Sequence, residues 1–156
     1  MNLLTATGAL FVYLFNLEPR NISLDVSMAN DATNAIVAVT SEPWEVETLA
    51  RIARWESGLR RNIVDCVVLG KLGERGAFQV MARNHSEQLD LCSSDLSKQA
   101  RIARDRIRES KKVCESQGIR GSDVLGIYTH GRCIRGNRIA AFRYGDGSKL
   151  LSFMKE

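Results

Sequence analysis

The sequence predicts a mainly helical α+β domain with one small β-element, and three observations carry that prediction. Most of the chain holds apolar residues at helical spacing. The segment from about residue 62 to 81 loses that period and gains β-branched residues and glycines. Only 2 prolines and 12 glycines occur in 156 residues, and no Gly/Ser-rich or Pro-rich linker divides them. A chain of this length forms one domain with a real core, and no internal repeat or low-complexity tract suggests otherwise. The organisation read from this is an N-terminal segment, residues 1–25, and one compact domain, residues 26–156.

Leu3 to Leu17 (LLTATGALFVYLFNL) is mostly apolar, but a transmembrane helix needs roughly 18 or more apolar residues. A signal peptide would carry a positive start, and the first basic residue is Arg20. The segment therefore reads either as a degenerate export signal or as a first packing helix. Asn30 to Thr40 follows as a short helix, capped by Asn30 or Asp31, with Ala35, Ile36 and Val39 on one face. Ser41-Glu42-Pro43 stops it and starts the next, because proline is tolerated in a first turn. That next helix runs from about Trp44 to Ser57, with Gly58 as its stop.

In the stretch without helical period, Ile63, Val64, Val67, Val68 and Leu69 favour a strand, and Phe78-Gln79-Val80 favours a second. Gly70, Gly73 and Gly76 punctuate the turns, giving an irregular β-hairpin or a glycine-rich loop. The longest helix spans about Ser94 to Ser116, capped by Ser93 or Ser94. Leu96, Ala100, Ala103, Ile107 and Cys114 form its inner stripe, and Lys98, Arg101, Arg104, Arg108 and Lys112 its outer face. A helix after Ser122-Asp123 and short helical pieces at Asn137 to Tyr144 and Ser148 to Met154 complete the pattern.

The formal net charge is +4, which suits an anionic partner without choosing among nucleic acid, membrane surface and cell-wall polymer. Aromatics are 6%, and no basic segment interleaved with aromatics or zinc-finger pattern points to nucleic acid. The four cysteines, Cys66, Cys92, Cys114 and Cys133, form no C-x-x-C pair, and His85 and His130 offer no zinc spacing. Two disulfides in an oxidising compartment or four free thiols are both open, as are the three possible pairings.

The Trp44–Ser57 helix carries the candidate chemistry. Its apolar stripe is Leu49, Ile52 and Ala53, and Glu56 is the next position on that face. A carboxylate there sits at the negative end of the helix dipole, where stability would favour Lys or Arg. Partial burial and the dipole both disfavour the ionised form, the environment that a proton-donating glutamate requires. The plainer alternative is a surface glutamate near a helix end.

Glu56-Ser57-Gly58 at the end of this helix resembles the catalytic motif of soluble lytic transglycosylases and goose-type lysozymes. Gly73-Glu74-Arg75-Gly76-Ala77-Phe78-Gln79-Val80 is similar to the second motif of that superfamily, a glycine-rich turn leading into Gly-Ala-x-Gln. Tyr128-Thr129-His130-Gly131 looks like a variant of the third. The motifs occur in the family's order and the resemblance covers roughly residues 31–133. Two departures stand out. Phe78 occupies the stretch between Ala77 and Gln79 where the family has an extra glycine, and Thr129-His130 replaces the more usual Asn-Ala.

The resemblance implies a lysozyme-like helical domain with the hairpin or glycine-rich loop beside an active-site cleft. It implies cleavage of peptidoglycan between N-acetylmuramic acid and N-acetylglucosamine, with Glu56 as general acid and then base, giving 1,6-anhydro-muramyl products. Ser57, Glu74, Gly76, Ala77, Phe78, Gln79 and Tyr128 would contact substrate. Gln79 would position an N-acetyl or hydroxyl group, Gly73 and Gly76 would admit the sugar to the backbone, and Tyr128 would sit near Glu56. No cofactor or metal is implied, and neither histidine is expected to be catalytic. An extracytoplasmic or phage-associated location follows, where disulfides persist, with Cys114–Cys133 clamping the third motif and Cys66–Cys92 as the remaining pair. A monomer that neither spans a membrane nor binds nucleic acid is expected.

Three alternatives stay open. A hydrolytic lysozyme would add a second carboxylate, with Glu74 ahead of Asp65 and Asp90. A wall-binding or virion structural module would keep the fold without catalysis. A basic nucleic-acid binder would use Arg101, Arg104 and Arg108 on one helix face.

Overall fold

A computed structural model describes residues 3–16 and 23–144. The helical piece expected at Ser148 to Met154 lies outside the described residues. The described residues are mainly helical and contain no strand longer than a single bridge. Helix α1 (Leu3–Asn16) buries Leu10 and Tyr13 against the core.

Helix α2 (Val26–Val39) begins a turn earlier than its apolar pattern suggests. Asp25, rather than Asn30 or Asp31, is the N-cap, its carboxylate accepting from Met28 N at 3.0 Å. Met28, Ala32, Ala35 and Ile36 form its buried face. Helix α3 (Pro43–Glu56) has proline in its first turn. It ends where expected, because Gly58 takes the left-handed φ of 59° that releases the chain.

The region after α3 corrects the strand expectation. Arg61–Val64 is a short helix, α4. Ile63 and Val64 tuck into the core from it, while Val67, Val68 and Leu69 stay exposed with no partner strand. Left-handed residues at Cys66, Gly73, Gly76 and Gln79 turn the chain before a ladder can grow. Among the described residues one antiparallel bridge remains, Arg75 to Val80, with paired backbone hydrogen bonds of 3.0 and 3.1 Å. The β-element is therefore a glycine-rich loop and not a hairpin.

Helix α5 (His85–Leu91), capped by Asn84, follows this loop. Helix α6 (Leu96–Ser116) is capped by Asp95 and not by Ser93 or Ser94, with Asp95 accepting from both Ser97 N and Ser97 Oγ. Its predicted stripe is buried, together with Gln99 and Ser110. Helix α2 lies along α6, and α1 and α3 pack on that pair. A 3-10 turn (Gly121–Leu125) and helix α7 (Gly126–His130) cover another side of α6, and helix α8 (Arg138–Arg143) packs against that turn, α3 and α7. Asn137 caps α8.

Two disulfides join Cys66 to Cys92 and Cys114 to Cys133, each with Cα atoms 5.4 Å apart. The second ties the segment after α7 to the end of α6. No helix among the described residues is long and apolar enough to cross a membrane.

Two buried polar groups organise the packing. Glu45 accepts two hydrogen bonds from Arg108, at 2.6 and 2.9 Å, and one from the Thr40 hydroxyl. Burial opposes its charge, but these donors outweigh burial and hold the carboxyl below its ordinary value. Gln99 is fully buried and stitches the glycine-rich loop to α6. Its Oε1 accepts from Ala77 N at 2.8 Å, and its Nε2 donates to Val64 O and Ser93 O.

Gly76 is fixed by that amide. A Cβ there would lie 2.3 Å from Gln99 Oε1 and 2.4 Å from Leu91 O, and φ is +73°. Gly76→Ala is therefore expected to destabilise the domain by roughly 2–4 kcal/mol from backbone strain and overpacking together. Urea denaturation checks this.

Candidate active site

Helix α3 delivers Glu56 to a cleft of about 900 Å³. The opposite walls come from the glycine-rich loop, the segment Met81–Arg83 that follows it, α6 and the α7–α8 region. The side chain of Glu56 is a quarter exposed. Its Oε1 receives the Tyr144 hydroxyl, and the Arg143 guanidinium approaches the same oxygen at 3.4 Å. Both donors thus converge on Oε1.

The cleft gathers residues far apart in the chain. Glu74, Gln79 and Tyr128 line it with Glu56, and so does His130. Glu74 and Gln79 converge over Gly70: a Cβ on that glycine would lie 2.2 Å from Glu74 Oε2 and 2.9 Å from Gln79 Oε1. Glu74 Oε2 also accepts from Leu72 N at 2.9 Å, and Gln79 Nε2 donates to Gly76 O at 2.9 Å. Gln79 holds a left-handed φ of 49°, a conformation that costs a non-glycine residue on the order of 1–3 kcal/mol.

Other members of the three motifs lie behind the wall. Ser57 is fully buried; its hydroxyl donates to Ala53 O and accepts from Leu59 N, which shapes the exit from α3. Ala77 and Phe78 are buried, and Gly76 packs on Gln99. These four do not line the cleft. Gly73 is a turn residue away from the cleft lining. Asp65 follows α4 as its C-cap and Asp90 pairs with Lys98 at 3.5 Å; neither lines the cleft. His85 begins α5 and is exposed.

Tyr128 lies near Glu56 but donates elsewhere, to Phe78 O at 2.6 Å. The hydrogen bond to the carboxylate comes from Tyr144, whose ring meets that of Tyr128 edge-on at 6.5 Å. Arg143 and Tyr144 are the residues that sequence reasoning missed. They stand 87 and 88 positions from Glu56, and the sequence marks them only as the end of a short helical piece. Arg83, Arg106 and Glu109 also line the cleft unannounced. Arg83 pairs with Glu109 at 2.7 Å and Arg106 with Glu87 at 2.6 Å. Of the arginines on the outer face of α6, Arg104 donates to Val39 O and Asp105, and Arg108 to Glu45.

Burial, followed by the charge of Glu56, pushes the phenols of both Tyr128 and Tyr144 above their ordinary value. Tyr144 therefore stays a donor to Glu56 at any working pH. The arrangement supplies a carboxyl oriented by two donors, an amide and a second carboxylate within one cleft, which suits general acid–base work on a polar, uncharged bond. No family model, curated protein or solved structure matches this chain.

All three tyrosines of the chain are raised, with Tyr13 pushed up to about 12 chiefly by burial. Folded phenols that titrate above their unfolded value of 10.0 contribute stability that is complete below that pH and is lost as pH rises through the folded values. Spectrophotometric titration should show no tyrosinate near pH 10 in the native protein. Denaturation midpoints should fall as pH climbs past it. Ionisation of one phenol near its ordinary value, without unfolding, would contradict the arrangement.

Proposed function

We propose that this protein is a peptidoglycan lytic transglycosylase that cleaves the β-1,4 bond between N-acetylmuramic acid and N-acetylglucosamine. The observation that carries the reading is Glu56, held by Tyr144 and Arg143 on the wall of a cleft shared with Gln79 and Tyr128. Glu56 gives its proton to the glycosidic oxygen as the bond from the muramyl C1 breaks. The Tyr144 hydroxyl and Arg143 guanidinium then stabilise the new carboxylate. That carboxylate takes the proton of the muramyl 6-hydroxyl as this oxygen closes on C1, forming the 1,6-anhydro ring. The Gln79 amide, oriented through Gly76 O, hydrogen-bonds an N-acetyl or hydroxyl group. Its strained backbone is of the kind that accompanies function.

The domain would have the lysozyme-like architecture, with the glycine-rich loop as one wall. Two disulfides suit an oxidising compartment outside the cytoplasm, where the wall lies. The charge of +4 suits an anionic envelope polymer. A second reading rests on Glu74, which lines the same cleft: if it holds a water, the enzyme is a hydrolytic lysozyme.

Mass spectrometry of products from purified peptidoglycan separates the two. The transglycosylase reading expects muropeptides lighter by one water than hydrolytic ones, with the rate lowered roughly 10²–10⁴-fold by Glu56→Gln. Reducing-end products abolished by Glu74→Gln would establish the hydrolase instead. No soluble fragments from the parent protein would leave a non-catalytic wall-binding module.

A further inference from the structure

Below the cleft, α3 carries a buried guanidinium that reaches two other helices. Arg51 is 5% exposed. Its Nε donates to Arg143 O at 2.6 Å and its Nη2 to Phe142 O at 2.9 Å. These carbonyls belong to the last turn of α8, which has no intrahelical donors for them. Arg51 therefore acts as the C-terminal cap of α8. The carbonyls it caps are those of Phe142 and Arg143, and Arg143 and the next residue, Tyr144, are the two that contact Glu56.

The other side of the guanidinium is held from α1. Arg51 Nη1 donates to the Tyr13 hydroxyl at 3.4 Å, and that hydroxyl donates to Glu47 Oε1 at 2.9 Å. Glu47 is fully buried and pairs with Arg51 one turn away, at 3.9 Å. The chain of contacts runs from Tyr13 and Glu47 through Arg51 to the α8 carbonyls, and from α8 to the carboxylate.

We propose that Tyr13 and Arg51 are positioning residues that hold Arg143 and Tyr144 against Glu56, which makes helix α1 a working part of the site. The proposal rests on Glu56 being the acid of the reaction above. Neither residue itself lines the cleft. Their effect is on the placement of the two donors, and misplacement by about 1 Å can cost on the order of 10²-fold in rate.

Trp55 supplies a readout independent of activity. Its ring lies 5.5 Å from that of Phe142 and 5.6 Å from the Arg143 guanidinium. The chain has only 2 tryptophans, so a Trp44→Phe background isolates it. In that background, Tyr13→Phe and Arg51→Lys should raise acrylamide quenching of Trp55, with the larger effect in Arg51→Lys. The kcat on peptidoglycan should fall, roughly tenfold or more for Arg51→Lys, with KM unchanged. Thermal melts confirm that the proteins compared are folded. If Arg51→Lys does not fold, Tyr13→Phe, which removes a single oxygen, carries the test. Unchanged quenching, or changed quenching with an unchanged kcat, overturns the proposal. A parent protein that releases no fragments overturns the transglycosylase reading instead, and the quenching then decides alone whether the relay exists.

Discussion

A guanidinium taken out of water costs several kcal/mol unless its protons find acceptors, and the architecture around the cleft answers to that constraint at Arg51. Its acceptors come from α8 and α1, which brings the last turn of α8 down onto the last turn of α3. Only there can Tyr144 and Arg143 meet Glu56. The ion pair and hydrogen bonds at the carboxylate are thus consequences of a buried polar network three helices wide. Replacing Arg51 by an apolar residue would remove the guanidinium that faces buried Glu47 at 3.9 Å and caps the end of α8.

Gln99 exerts a similar constraint on the other wall. An amide buried in α6 must satisfy both its ends, and it does so with Ala77 N, Val64 O and Ser93 O. Those bonds pull the chain from α4 to α6 into a tight irregular path that the Cys66–Cys92 disulfide closes. The path leaves no room for a Cβ at Gly76. It also turns Glu74 and Gln79 outward over Gly70, toward the face that α3 presents. Both walls of the cleft are therefore positioned by buried polar side chains, and the apolar stripe of α6 supplies the mass against which they lock.

Helical periodicity revealed α2, α3 and α6, because an amphipathic stripe is a local property of sequence. It misplaced the starts of α2 and α6, where Asp25 and Asp95 won the caps through side-chain geometry that spacing cannot show. The strand expected at residues 63–69 failed for a physical reason. β-branched residues favour a strand only when a partner can pair, and Arg61–Val64 instead buries Ile63 and Val64 from a single helical turn. Glu56, Glu74, Gln79 and Tyr128, which the sequence singled out, line one cleft. Arg143 and Tyr144 were not singled out, since a contact across 88 positions leaves no periodic trace. Ser57, Ala77 and Phe78 are buried and do not line the cleft.

The proposed reaction requires that the cleft at Glu56 receive a glycan with its scissile bond beside that carboxylate. A crystal structure of Glu56→Gln with a peptidoglycan oligosaccharide tests it most directly. The expected result is a sugar chain along the cleft, its glycosidic oxygen within hydrogen-bond reach of position 56 and an N-acetyl or hydroxyl group on the Gln79 amide. A glycan bound on another face, or an empty cleft at saturating oligosaccharide, would contradict it.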